Sequence, residues 1–391
     1  MTTRRQLVPF AALSASYFAH IGFFNPYLPL WLQEIGLSIL AISVLVSVQA
    51  ATRLLAPYGW GWLSDRTGER IRLLRYCACA ALLASVGLWW DGGVYWLFGV
   101  LLFMFMHTSA MMPMSESALA HLVTQDGVFN ARRYGRVRLW GSLGFLVTVV
   151  VAGAFFEREG MRHFPAWTVV TMLAVALCVF MLPNVKEAVA EHAQDANVMP
   201  VLRQRAVQWF FASVFFHVLS HIGIYAFFSL YLDSLGFSKT MIGLLWAMSV
   251  VVEIGWFFTQ SRWLPRMSLT AWLVLCSAAM LLRMGITASS AQVLGLLLLA
   301  QALHALTFAT HHTVCIALLS QHFSGRLRDR GQALYTVIGY GFPGVIGGLA
   351  GGMLSTHFGL ASVFWVAMFT SALAVAFALG AWRHQRAQAS D

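Results

Sequence analysis

From Ala41 to Trp60 the chain is apolar except for Gln49 and Arg53, and from Leu73 to Trp90 its only charge is Arg75. Each run is about the length an α-helix needs to cross ~30 Å of hydrocarbon. Between them lie ten residues of charge and turn chemistry, Gly61–Arg70, reading GWLSDRTGER. A bilayer accepts only elements that satisfy their backbone N–H and C=O groups internally. The stretch is therefore predicted to be a short charged hairpin between two membrane helices. Asp65 falls near the end of the first helix, Gly68 at the sharp turn, and Arg66 and Arg70 flank it, an arrangement suited to ion pairs and helix-terminal dipole contacts. Charge alone is equally consistent with a solvated loop that only sets topology.

The pattern recurs along the whole chain. With 59% hydrophobic and 10% charged residues, 15 Trp and 29 Phe, the composition excludes a water-soluble globule. Spans read at 8–34, 40–62, 72–91, 94–121, 138–157, 165–183, 207–233, 240–262, 268–288, 291–320, 331–355 and 360–382. The expected fold is an all-α integral membrane protein of twelve transmembrane helices. Asn184–Arg205, the longest polar stretch, divides it into an N-terminal six-helix bundle (1–183), a linker (184–206) and a C-terminal six-helix bundle (207–391).

A net charge of +10 raises the question of nucleic-acid binding, but its distribution answers it. Arg4, Arg5, Arg66, Arg70, Arg72, Arg75, Arg132, Arg133, Arg136, Arg138, Lys186, Arg203, Arg205, Arg262, Arg266, Arg326, Arg328, Arg330, Arg383 and Arg386 all fall near alternate loops. The other loops hold only Arg158, Arg162 and Lys239. That is the positive-inside bias, and it predicts cytoplasmic termini in a bacterial-type inner membrane. The basic Arg4–Arg5 start leads into an apolar run without a small-residue cleavage site, so it reads as the first span. Cys77, Cys79, Cys178, Cys276 and Cys315 lie inside apolar runs and are expected to be buried single thiols.

An internal repeat accompanies the division. Leu30, Leu32, Gly36 and Ser38 recur as Leu230, Leu232, Gly236 and Ser238; Gly59–Trp60 recurs as Gly255–Trp256; Arg66 and Arg70 align with Arg262 and Arg266, with Ser261 where Asp65 stands. Helix breakers are expected to interrupt span 1 (Asn25, Pro26, Pro29) and span 4 (Pro113), and to loosen span 11 (Gly339–Gly352 with Pro343).

An ionisable group deep in a membrane is costly, so each marks a candidate site. Arg53, Glu116, Glu253 and Arg283 are deep, and Arg138 opens span 5. Adjacent spans offer two pairs, Glu116 with Arg138 and Glu253 with Arg283. Helical spacing gathers His304, Thr307, His311 and Cys315 on one face of span 10, and His217, His221, Tyr225 and Phe228 on one face of span 7. Tyr17, His20, Phe24, Tyr27 and Trp31 make an aromatic face on span 1. Imidazole titrates near neutrality, which suits a group taking up a proton with substrate, and His304 is singled out because Glu253 and Arg283 lie on flanking helices. No spacing matches a metal-ligand motif, and no catalytic residue, metal or cofactor is expected.

The order G-x-L-S-D-R-x-G-x-R resembles the loop 2–3 signature of the major facilitator superfamily. GFFNPYLPLWL in span 1, Pro113–Glu116 (PMSE) and Tyr134–Phe145 (YGRVRLWGSLGF) resemble bacterial phenylpropionate transporters and, more distantly, the lactose permease group. That resemblance implies two six-helix halves with a binding site near the midplane between them. It further implies a conformational gate at Gly61, Asp65, Arg66, Gly68 and Arg70. Glu116 and Arg138 would stand at substrate-recognising positions, with Tyr17, His20, Phe24 and Tyr27 as an aromatic lining. Glu253, Arg283 and His304 would stand at proton-coupling positions. Thr307 occupies the place of the carboxylate that carries the coupled proton in the permease group, so Glu253 or His304 would carry it here. The aromatic face of span 1 suits a flat aromatic ligand better than a disaccharide.

The expected function is uptake of a small organic solute with protons by a monomer: an aromatic acid of the phenylpropionate kind or a sugar, anchored in the acid's case by Arg283 or Arg138. Proton-driven efflux and nucleoside–proton symport stand as alternatives. Gly141 to Gly153 lacks the Gly-Pro pattern associated with antiporters, whereas Pro343 with Gly344, Gly347 and Gly348 has a similar texture. A membrane enzyme would need a nucleophile–base pair or metal ligands, and neither is found.

Overall fold

The computed structural model describes residues 4–125, 128–183, 197–324 and 327–390. Twelve helices among these residues are long and apolar enough to cross a membrane. They are α1 (Gln6–Glu34), α2 (Ile39–Thr67), α3 (Arg70–Trp89), α4 (Gly93–Val123), α5 (Arg133–Glu159) and α6 (Met161–Phe180), then α7 (Arg205–Ser234), α8 (Lys239–Arg266), α9 (Leu269–Ser290), α10 (Leu294–His322), α11 (Arg330–Phe358) and α12 (Ala361–Gln385). The expected spans are recovered, and the helices run past them: α2 reaches Thr67 and α5 starts five residues before Arg138. Hydropathy marks where hydrocarbon ends, whereas helices continue into the polar zone until a cap stops them. Asn130 supplies one such cap, its Oδ1 accepting from the Arg133 N–H at 3.0 Å. A two-residue antiparallel hairpin, Thr124–Gln125 with Val128–Phe129, precedes it. Asn184–Ala196, most of the expected linker, lies outside the described residues; beyond it Met199–Leu202 makes a single helical turn.

Two compact units form: Met1–His192 with Ser238–Ala247, and Ala193–Phe237 with Met248–Asp391. In the first, α1 packs on α5 and α6, and α3 on α4 and α6. In the second, α7 packs on α11 and α12, and α9 on α10 and α12. Shifting each label by six converts most of the first set into the second, so the repeat read from a few residues is a repeat of packing.

At the spans' ends the repeat is also a repeat of hydrogen bonds. Gly36 and Gly236 adopt φ 86° and φ 84°, the left-handed conformation that ends a helix with little strain only in glycine. The next residues close the turn alike, Leu37 N–H to Leu32 O and Phe237 N–H to Leu232 O, both at 3.1 Å. Ser38 and Ser238 then cap the following helices through Ala41 N–H (3.3 Å) and Met241 N–H (3.2 Å).

Two expectations about helix breakers change. Helix α1 is continuous through Pro9, Pro26 and Pro29, and α4 through Pro113. Proline removes one N–H and frees one carbonyl, a local loss that a packed membrane helix absorbs without unwinding. The irregular backbone lies in the second unit, as π turns at Gly223–Phe227 in α7, Ala305–Thr310 in α10 and Tyr335–Gly341 in α11. The last precedes Pro343, so there the loosening expected of span 11 is found.

The aromatic face of α1 splits in two. Phe23, Phe24 and Trp31 are buried and pack on Phe164, Trp31 stacked on it at 5.1 Å and 14°. This end of the stripe is core. The other end, from Tyr17 to Asn25, opens on a cavity.

Candidate functional site

The α2–α3 turn is tighter than a ten-residue hairpin. Helix α2 ends at Gly68 with φ 67°, its N–H bonded to Ser64 O, and α3 starts at Arg70. Arg70 folds back over the turn, reaching Asp65 Oδ1 at 3.2 Å and Ser64 Oγ at 3.1 Å. Arg66 lies 4.2 Å over the Trp62 ring. Of the expected gate residues, Asp65, Gly68 and Arg70 thus share one structural unit, while Gly61 lies a full turn before Asp65 and has nothing near its Cα face. The Asp65 side chain is 58% exposed, so the pair contributes at most about 1 kcal/mol to stability. Its counterpart after α8 has no glycine turn; Leu264–Arg266 and a Ser268 cap replace it.

In the first unit Glu116 on α4 and Arg138 on α5 form the expected ion pair, with Tyr134 one turn earlier hydrogen-bonded to both. A separate cavity is lined by one stripe from each of three helices. From α1 come Tyr17, His20, Ile21, Phe24 and Asn25; from α2, Gln49 and Arg53; from α4, Phe105, Thr108 and Ser109. The spacings of three and four are those that place residues on one helical face. Most of the polar atoms have partners in the fold. Tyr17 donates to Thr108 O (3.0 Å), Gln49 to Asn25 Oδ1 (3.2 Å), and Ser109 meets Thr52 Oγ1 (3.1 Å). His20 Nδ1 lies 2.9 Å from Thr171 Oγ1, whose hydroxyl donates to backbone carbonyls, so this nitrogen carries the ring proton. Tyr27 does not line the cavity: fully buried, it donates to Val149 O at 2.9 Å and lies 3.2 Å from Lys239 O.

Arg53 is at the midpoint of α2. A cation at that depth costs about 3 kcal/mol or more, and among the described residues it has no ion-pair or hydrogen-bond partner.

The second unit holds the most buried charge. Arg283 on α9 is fully buried. Its guanidinium reaches Thr307 Oγ1 at 2.9 Å, His304 Nδ1 at 3.1 Å and His221 Nε2 at 3.4 Å through Nη1, and Gln301 Oε1 at 3.1 Å through Nη2. Arginine only donates, so His304 Nδ1 accepts, and a neutral ring carries its proton on Nε2. That nitrogen faces Glu253 Oε2 at 3.4 Å. The expected Glu253–Arg283 pair is therefore bridged: carboxylate, imidazole and guanidinium form a chain from α8 through α10 to α9. Thr307, at the position where the permease group has a carboxylate, serves as an acceptor for Arg283.

Beside this chain a small cavity is lined by His217, Val218, His221, Tyr225, Thr307, Phe308, His311 and Tyr340. His217 donates through Nε2 to Thr307 O at 2.8 Å and stacks on His311 at 3.6 Å and 3°. The α7 face read from spacing lines this cavity except for Phe228, which is fully buried. The residues that sequence reasoning passed over are uncharged. Gln301, one turn before His304, takes both Arg283 and Ser249 (2.6 Å), and Asn25 and Gln49 flank Arg53. A search for amides as well as charges inside apolar runs would have found them.

Among the described residues no group of three or more His, Cys, Asp or Glu is placed to hold a metal ion. What the geometry provides is a ladder of proton-holding and charge-holding groups inside membrane helices. Comparisons with known proteins find membrane transporters. The chain is 27% identical over 359 residues to the "Probable 3-phenylpropionic acid transporter" of Escherichia coli (strain K12), covering 90% of this chain and 91% of that one. It is 28% identical over 265 residues to the maltose permease of Geobacillus stearothermophilus, covering 66% and 65%. Its fold superposes on a crystal structure of a variant of the nucleoside transporter NupG with TM-score 0.83, at 16% identity, covering 96% of this chain and 99% of that one. The model of the MFS_1 like family matches residues 12–366, and the chain belongs to that family: it is a multi-pass membrane transporter of the major facilitator type, not an enzyme.

Proposed function

We propose that this transporter imports a small organic solute together with protons by alternating access. A phenylpropionate-like aromatic acid is the leading substrate class and a sugar the second. The observation that carries the coupling is the Glu253–His304–Arg283 chain. The Glu253 carboxylate is held by the Nε2–H of a neutral imidazole, and that imidazole is polarised by Arg283 at its other nitrogen. Protonating Glu253 removes the negative end of the chain and weakens its hold on α10, so proton binding and helix movement are linked. Thr307 cannot take a proton at neutral pH, which leaves Glu253 as the carboxylate of this cluster. The aromatic cavity of the first unit and the likeness to the Escherichia coli phenylpropionic acid transporter support the aromatic acid; the maltose permease supports the sugar. In this reading the protein is a monomer in a bacterial inner membrane with both termini cytoplasmic. The bundles are 1–183 and 207–391, joined by the linker 184–206, and Glu116 with Arg138 contributes to substrate recognition.

The Asp65–Arg70 unit acts as the gate. A half-exposed pair contributes too little to be kept for stability, but it closes one particular turn geometry. Asp65→Asn is expected to slow transport while leaving equilibrium substrate binding within about twofold, a negligible free-energy change. Lost binding with normal turnover of what remains bound would contradict the gate.

The reading as a whole is tested by uptake into proteoliposomes under an imposed inward proton gradient, with labelled 3-phenylpropionate and a labelled galactoside in parallel. Protein-free vesicles are subtracted because the neutral acid crosses bilayers unaided. Protein-dependent accumulation of the acid, abolished by a protonophore, is the expected result. Accumulation of neither compound would overturn the import reading in favour of efflux or of a nucleoside substrate.

A further inference from the structure

Of the three arginines singled out in the spans, two are already engaged. Arg138 is paired with Glu116. Arg283 is surrounded by His221, Gln301, His304 and Thr307. The third, Arg53, lines the cavity of the first unit without an ion-pair or hydrogen-bond partner among the described residues. We propose that Arg53 is the anion-binding residue of that cavity and that the cavity takes a flat aromatic carboxylate, its charge on Arg53 and its ring among Phe24, Phe105 and His20. The assignment rests on the transport reading above and moves the cationic anchor away from Arg138 and Arg283.

Three observations converge. First, the cation sits at the midpoint of its helix with its side chain exposed, so an anion can reach it. Second, the neighbouring Tyr17, Gln49 and Ser109 are already hydrogen-bonded within the fold, so the guanidinium is the uncommitted charged donor of the site. Third, the same cavity is lined by aromatic rings, Phe24, Phe105 and His20, which pack on one another (Phe24 4.9 Å from His20 and 5.9 Å edge-on from Phe105) and offer an aromatic ligand offset or edge contacts. A guanidinium binds a carboxylate through two parallel N–H donors, a geometry a neutral sugar does not reproduce. The cavity therefore favours charge and flatness together, as an aromatic carboxylate supplies them.

Binding of 3-phenylpropionate and of its uncharged analogue 3-phenylpropanamide is to be measured on the full-length protein in detergent, by quenching of its tryptophan fluorescence. The native protein is expected to prefer the acid by about tenfold or more, the scale of one charge-assisted contact. Arg53→Gln is expected to erase that preference, weakening binding of the acid by about tenfold and of the amide much less. Arg53→Lys is expected to keep a reduced preference, and thermal unfolding of both variants checks that they fold; should the Gln variant fail to fold, the Lys variant decides, since an undiminished preference in it overturns the bidentate assignment. Preference for the acid retained in a folded Arg53→Gln protein overturns the role of Arg53 and leaves the transport reading standing. A native protein that binds neither compound and accumulates a sugar or nucleoside overturns the substrate class and this site together.

Discussion

Glu253→Gln is expected to abolish accumulation of substrate against its gradient while sparing exchange of internal for external substrate. The amide has nearly the shape of a protonated carboxyl and still accepts from His304 Nε2, but it neither binds nor releases a proton. His304→Gln is the informative contrast. Its amide oxygen can accept from Arg283 and its NH₂ can donate to Glu253, so it keeps the bridge and removes only the titratable ring. Accumulation lost in Glu253→Gln and retained in His304→Gln assigns the proton to Glu253. Accumulation surviving in Glu253→Gln moves it to His304. Both proteins must be compared under an imposed pH gradient at matched expression, with exchange measured in the same vesicles as proof that the carrier still moves.

Arg283→Met is expected to destabilise the protein by about 3–5 kcal/mol, the usual loss when one member of a buried ionic cluster is removed. Methionine fills similar volume, so the loss is electrostatic. It strands the acceptors of His304, Thr307 and Gln301, and leaves Glu253 without a cation in its chain. Adding Glu253→Gln should recover part of the loss, because a site with both charges removed is less unfavourable than one that keeps the carboxylate and loses the guanidinium. Thermal unfolding of the single and double variants in detergent measures this coupling. Strict additivity of the two substitutions would show that Arg283 and Glu253 do not act through one chain, and the relay through His304 would then be wrong.

Much of the architecture was readable without coordinates because a membrane leaves a chain few choices. Apolar runs of sufficient length must be helices, since no other single segment satisfies its backbone in hydrocarbon, and the twelve spans followed. The Gly36–Ser38 and Gly236–Ser238 repeats were legible for a comparable reason: a left-handed glycine followed by a serine cap is a local device with a local signature. Glu116 and Arg138 were legible as a pair because they lie on adjacent spans and each is costly alone.

Other features were not legible, and each is non-local. The reach of Arg283 to His304 instead of directly to Glu253 depends on how α8, α9 and α10 are rotated about their axes. That rotation is set by packing and by the π turn at Ala305–Thr310. Proline is a breaker by its own chemistry, yet α1 and α4 run through theirs because the surrounding helices hold the segment in place. Tyr27 belonged to the same aromatic stripe as Tyr17 and Phe24, but a stripe several turns long meets different neighbours along its length, and Tyr27 meets backbone carbonyls. The sequence by itself determined that this chain spans a membrane twelve times in two related halves, because burying backbone in hydrocarbon admits one solution. Only the tertiary structure decided which charges are shared and that Arg53 has no ion-pair or hydrogen-bond partner among the described residues, because partnership between helices is a matter of rotation and distance that spacing along the chain does not record.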